Sequence, residues 1–370
     1  MNYQKICMAE GIALIFVVMI NQVLLGVAKN IVITTASSAW LNILFVILIG
    51  LALVFIITKL FKKFPTLDII DISEYIGGKI LKIIICIISI IFFIFSAGLI
   101  LHHICDCLEI IYFTNINSLF LQLIFLFGAV ICAKKGISSV SKTNLLFVAL
   151  LLIPMIILFC ALFFDMEIQR IFPILGYGVN NTFFGNSTNI FAFSGLLFLF
   201  FIMPFLNNSE DFSKIGFISF IISSLYLFFT VISLLLVFPF SEITEELLSI
   251  YLLSRTVSIG TFLERLDAIY VFLWILSTFS YLSILIFFIC NTFKKMANLK
   301  NANGIIGTAM FLVFSSALLI KDISGFRFFQ FGVFKYFTIL LFVLFILILF
   351  IGYLKKRRCP INSYNNKQIE

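Results

Sequence analysis

Ten times along its length the chain runs for 17 or more residues that are almost all apolar. A helix needs about 20 such residues, at roughly 1.5 Å each, to cross the hydrocarbon layer of a bilayer. The runs lie near 10–34, 39–61, 80–105, 117–133, 143–164, 188–207, 214–239, 266–292, 304–320 and 332–354. They are continuous and lack the period-two alternation of lipid-facing strands, so they predict helices rather than a barrel. No hydrophilic block separates them. With 62% of the 370 residues apolar and 11% charged, against roughly 45–50% and about 25% in soluble domains, the sequence reads as an all-α polytopic membrane protein with ten transmembrane helices. A single transmembrane domain covers 1–358 and a cytoplasmic tail covers 359–370.

Basic loops stay on the cytoplasmic side. With the N-terminus inside, 18 of the 25 Lys and Arg fall in inner segments, and seven fall outside: Lys29, Arg170, Arg255, Arg265, Lys321, Arg327 and Lys335. Both termini are therefore expected in the cytoplasm. The net charge of +8 then reflects topology and contact with the lipid bilayer, not nucleic-acid binding. Thr35 to Ala39 resembles a signal-peptidase site, but the run before it is too long and carries Asn21 and Gln22, so it is read as a first span.

Ten spans with both ends inside divide into five plus five, repeat one over about 8–164 and repeat two over about 188–354. An odd number per half inverts the second half, the plan of many secondary transporters, whose ligands sit where the first helix of each half is interrupted. Span 1 carries Asn21-Gln22 near its centre and Gly26 a turn later, and span 6 carries Ser194-Gly195. Asn and Gln inside an apolar span need partners, which are a neighbouring helix or a ligand. For Ser194-Gly195 the two readings are close packing by small residues and backbone unwinding.

Span 3 with its extension, 79–113, is longer than a perpendicular crossing needs, and His102, His103, Asp106 and Glu109 lie at its outer end. The histidines are read as interfacial groups, or as ligand- or pH-sensing ones. Cys105 and Cys107 lie beside them, but residues two apart on a helix point to different faces, so neither a metal site nor a cofactor is expected. Thr66 to Gly78 reads as a cytoplasmic amphipathic helix with Thr66 as its cap. Ser241 to Leu253 reads as an outer helical lid, or alternatively a partner-binding surface. No P-loop, dinucleotide fingerprint, nucleophile elbow or HExxH helix occurs, so no enzymatic activity is expected. None of the 17 acidic residues falls at the centre of a span, which weakens a proton-coupled reading.

Several segments together resemble one family. They are Tyr3-Gln4-Lys5-Ile6; Ala39-Trp40-Leu41; Lys62-Lys63-Phe64-Pro65; the stretch from Arg170 to Gly178; and the stretch from Phe262 through Glu264-Arg265-Leu266-Asp267 to Trp274. These resemble the permease-like spore germination proteins, the B subunits of nutrient germinant receptors in the amino acid/polyamine/organocation superfamily. The resemblance implies a five-plus-five inverted repeat of the LeuT/APC type in the inner membrane of a bacterial spore. It also implies a small nutrient such as an amino acid, a partner A subunit and a lipoprotein C subunit, and signalling by population shift without turnover. The sequence departs from the family pattern at Asn21, Val23 and Ala28 of span 1 and at Leu196 of span 6. That leaves a different nutrient, a ligand without a free ammonium, or a subunit that binds none.

The candidate ligand site comprises Asn21, Gln22 and Gly26 of span 1, His103 of span 3, Phe191, Ser194 and Gly195 of span 6, and Tyr270, Trp274 and Ser277 of span 8. Polar groups orient the ligand, glycines let backbone approach it and aromatic rings exclude water. Glu264, Arg265 and Asp267 form an outer gate or a structural ion pair. The alternatives to a sensor are an amino-acid permease of the same fold and a scaffold for an ion-conducting complex.

Overall fold

The computed structural model describes residues 5–113, 115–245, 249–256, 266–299, 301 and 303–358. The expected tail at 359–370, and Glu264 and Arg265, lie outside the described residues. The chain is helical throughout: α1 Met8–Gln22, α2 Ala28–Thr35, α3 Ala39–Phe61, α4 Ile69–Ile111, α5 Ser118–Lys134, α6 Ile137–Leu162, α7 Leu199–Ile202, α8 Asp211–Val237, α9 Phe240–Glu245, α10 Ser249–Thr256, α11 Leu266–Met296, α12 Ile306–Leu318, α13 Ile323–Arg327 and α14 Lys335–Arg358. Among the described residues no β-sheet forms; an isolated bridge links Ile6 to Leu206. Seven helical stretches are long and apolar enough to cross a membrane, and the first, Met8–Phe61, holds the turn at Ala36–Ser38 and so has two legs. Two shorter apolar helices, α5 and α12, accompany them.

Two rods are interrupted. Between α1 and α2 the chain widens into a π-helical turn, Val23–Val27, with Gly26 at φ +79°, a conformation that glycine adopts without a Cβ penalty. Before α7, residues Ser187–Phe198 wind as a tight 3-10 helix broken at Phe193. The two rods meet at one end, where the Ile6 amide donates to the Phe205 carbonyl at 2.8 Å and the Asn207 amide to the Ile6 carbonyl at 3.0 Å. Glu10 accepts from the Cys7 amide at 2.9 Å and so caps α1.

Around these rods α4, α11 and α14 close the bundle. Lipid supplies little hydrophobic drive between helices, so van der Waals packing carries the load. Phe93 of α4 meets Phe198 at 5.4 Å, Phe201 at 5.1 Å and Phe288 of α11 at 5.6 Å between ring centres.

The helix expected over 66–78 is present but fused to span 3. It starts at Asp68 rather than Thr66, because Asp68 accepts from the Asp71 amide at 3.0 Å and Asp71 in turn accepts from the Asp68 amide. Thr66 sits at φ +72°, outside the helix. The break falls at Gly78, φ +68°. Ile69, Ile70 and Ile72 are fully buried, so this helix is tucked under the bundle. Lys295 of α11 locks it there, reaching Asp68 at 2.6 Å and Asp71 at 2.7 Å. Burial pushes the Asp68 carboxyl up to about 7, against the downward pull of Lys295.

Candidate functional site

At the centre of the bundle α1 faces α11. Asn21 donates from Nδ2 to the Val17 carbonyl and to the Ser277 hydroxyl, both at 2.8 Å. Gln22 donates from Nε2 to the Tyr281 hydroxyl at 3.3 Å. Each amide keeps its carbonyl oxygen buried with no partner, and the Ser194 and Thr278 hydroxyls are buried without one as well. An unpaired acceptor in a low-dielectric interior is costly.

Gly195 brings the two interrupted rods into contact. A Cβ there would lie 2.8 Å from Met19 Cγ and 3.1 Å from the Met19 Cα and amide nitrogen. The close packing expected at Ser194-Gly195 is therefore present, while the backbone there is tightened into a 3-10 helix rather than unwound. Phe191 is buried one turn away, its ring 5.8 Å from Phe334 and 6.4 Å from Phe331.

His103, Tyr270 and Trp274 line clefts beside the π-helical turn that holds Gly26. On one side, Leu25, Gly26, Lys29, His103, Asp106 and Arg327 help line a cleft with about 60 Å³ reachable by water. On the other, Leu24, Pro154, Met155, Tyr226, Tyr270 and Trp274 help line a more apolar one of about 30 Å³. A single water needs roughly 10–15 Å³, so each cleft holds a few waters at most. His103 stacks on Phe326 at 4.6 Å and lies 5.7 Å from Trp274, forming the wall between the clefts. His102 is buried and also helps line the first cleft, its Nε2 3.0 Å from Asp106 Oδ2. Among the described residues, no three of His, Cys, Asp and Glu gather closely enough to hold a metal ion.

The expected outer lid is helical where it is described. Ile243 of α9 and Leu253 of α10 are buried, the Lys29 ammonium donates to the Thr244 carbonyl at 3.3 Å, and Ser254 helps line the apolar cleft. Asp267 accepts from the Tyr251 hydroxyl at 3.4 Å, which ties α10 to the start of α11.

Two residues of this region were not anticipated from the sequence. Tyr281 follows Tyr270, Trp274 and Ser277 at helical spacing, so the α11 stripe extended one turn further than expected. Gln330 lies in another π-helical stretch, Phe328–Phe334, and donates from Nε2 to the Leu25 carbonyl at 3.0 Å. It satisfies a carbonyl of the first π-helical turn from across the bundle. Gln330→Leu should cost about 1–3 kcal/mol by stranding that carbonyl, read as a lower unfolding midpoint in detergent.

The comparisons with known proteins agree with this architecture. No curated protein matches the chain in sequence. Among solved structures, a Na+-coupled sialic acid symporter in a substrate-bound, outward-open state is similar in fold, with a TM-score of 0.62 and 11% identity over 95% of this chain and 79% of the symporter. A family model for spore germination proteins matches residues 5–326. The chain is thus an integral, multi-pass membrane protein of transporter-like fold, and it belongs to the spore germination protein family.

Proposed function

We propose that the protein is the B subunit of a nutrient germinant receptor in the inner membrane of a bacterial spore. It binds a small nutrient, an amino acid in the first instance, at mid-membrane. It signals through an A subunit and a lipoprotein C subunit. In this reading the rods make ten crossings, five in each of two inverted repeats, with both termini in the cytoplasm, and no substrate is chemically converted. The observation that carries it is the set of partnerless buried acceptors on Asn21, Gln22 and Ser194 beside the interruptions of both rods. A nutrient ammonium would pair with these oxygens and favour the arrangement of rods that presents them, which is how a ligand biases a two-state protein without turnover.

Asn21→Leu should shift the half-maximal nutrient concentration for spore germination upward by about ten-fold, the equivalent of roughly 1.4 kcal/mol. A dose-response series of individual amino acids and sugars on variant and parent spores reads this directly. An unchanged curve for every nutrient sinks the reading. The symporter-like fold supports a second reading, an amino-acid permease. Saturable uptake of labelled amino acid by vesicles holding the purified chain alone would favour that reading over the sensor.

A further inference from the structure

We propose that residues 172–185, between α6 and the 3-10 rod, sit among the acyl chains of the leaflet on the Ala36 side of the bundle, as a lipid-embedded element rather than a solvated loop.

The side chains point to lipid as the occupant. Phe172, Ile174, Leu175, Tyr177, Val179 and Phe184 are all exposed, Phe172 at 65% and Phe184 at 70%. No Asp, Glu, Lys or Arg occurs anywhere from 171 to 209. A surface that met water, or the polar rim of a protein partner, would carry charge.

Depth points the same way. Phe45 lies six residues beyond the start of α3 at Ala39, which places it roughly 9 Å along the helix axis. The Phe183 and Phe184 rings pack on Phe45 at 5.5 Å and 6.5 Å. Leu44 and Leu48 of the same helix are exposed, an apolar flank of the kind that acyl chains cover. The segment therefore continues that flank below the level at which the helix begins.

The backbone supplies an independent argument. Irregular chain is tolerated at membrane depth only where its peptide groups are satisfied by protein. Here the Pro173 carbonyl accepts from the Ser37 hydroxyl at 2.5 Å and from the Gly176 amide at 2.9 Å. The Gly178 amide donates to the Leu175 carbonyl at 2.7 Å, and the Thr182 amide to the Gly178 carbonyl at 3.0 Å. The Thr182 and Asn181 carbonyls accept from the side-chain amides of Asn42 at 2.8 Å and Asn186 at 2.9 Å. Residues Asn181–Gly185 themselves wind as a π-helical turn, and the bonds from Ser37 and Asn42 tie the segment to the bundle. Close approach makes them possible, because a Cβ on Gly176 would lie 2.5 Å from the Thr35 carbonyl.

The test uses the full chain with Trp40 and Trp274 replaced by Phe and the single probe Tyr177→Trp, in phosphatidylcholine vesicles. Lipid brominated near the top of its acyl chains should quench the emission about two-fold, while aqueous iodide leaves it nearly unchanged. Strong iodide quenching with no bromine effect overturns the proposal. Because the Trp replacements alter the candidate site, a second arm keeps the native tryptophans and carries a benzophenone amino acid at Phe184 in intact membranes. A photo-adduct with lipid supports the proposal. An adduct with a second copy or another polypeptide, or the absence of any lipid adduct, overturns it.

Discussion

Lys295→Met should destabilise the protein by about 3–5 kcal/mol, the usual consequence of removing one partner from a buried ion pair. Lys295 is the cation that reaches both Asp68 and Asp71, and Asp68 is completely buried. Without the ammonium, two neighbouring carboxylates are left facing each other in a low-dielectric junction. The loss should depend on pH, with a definite sign. The Asp68 carboxyl is already held at about 7, above its ordinary 3.8. A group whose folded pKa is raised binds its proton more tightly when folded, so stability falls as pH rises between those two values. Removing Lys295 takes away the influence that pulls Asp68 downward, so the variant's deficit should be largest above about pH 7 and shrink on acidification. Unfolding in detergent at pH 8 and at pH 5 measures it. Asp68→Asn combined with Asp71→Asn in the Lys295→Met background should recover much of the loss, since a neutral junction carries no stranded charge. A deficit equal at both pH values would show that lost packing, not charge, is responsible.

Gly195→Val should be nearly as damaging, at about 3 kcal/mol, the upper part of the range for overpacking a tight interface. What limits the repair is the identity of the obstructing atoms. Met19 Cγ can swing aside, but the Met19 Cα and amide nitrogen at 3.1 Å are main chain, so α1 itself must move. Gly26→Ala is the control. No atom lies within 4 Å of a Cβ there, and only the φ of +79° penalises the change, by about 1–2 kcal/mol. Thermal unfolding of both variants should therefore rank Gly195→Val well below Gly26→Ala. The reverse order would mean that the rods can separate freely.

Hydropathy made the rods legible because a run of apolar residues reports its own length. The run at 39–61 coincides with α3, and those at 117–133 and 214–239 fall within a few residues of α5 and α8. Polar residues blurred the other ends. Helix α6 begins at Ile137, ahead of the run expected from 143, because Ser138 and Ser141 are buried against protein and so interrupt the hydropathy without interrupting the helix. Winding was harder to see. Whether carbonyls bond three, four or five residues along is decided by packing: Ser194-Gly195 marked the place, but not that the chain there tightens to 3-10 winding. Asn21 and Gln22 stood out since amides are rare at mid-span, and the structure pairs both with α11. Gln330 lay just outside the apolar run expected at 332–354, at a position where a polar residue needs no explanation.

The twelve residues of the 3-10 stretch Ser187–Phe198 rise about 2.0 Å each, against about 1.5 Å in an α-helix. Rewinding them to α geometry would shorten the rod by about 6 Å, close to one helical turn. With the Phe205 end of the rod bonded to Ile6, such a shortening would draw Asn186 and Asn189 away from the Thr34 and Asn42 they now grip. That rod is held at both ends, by Ile6 at one and by Thr34 and Asn42 at the other, so any change of winding between them must release one hold.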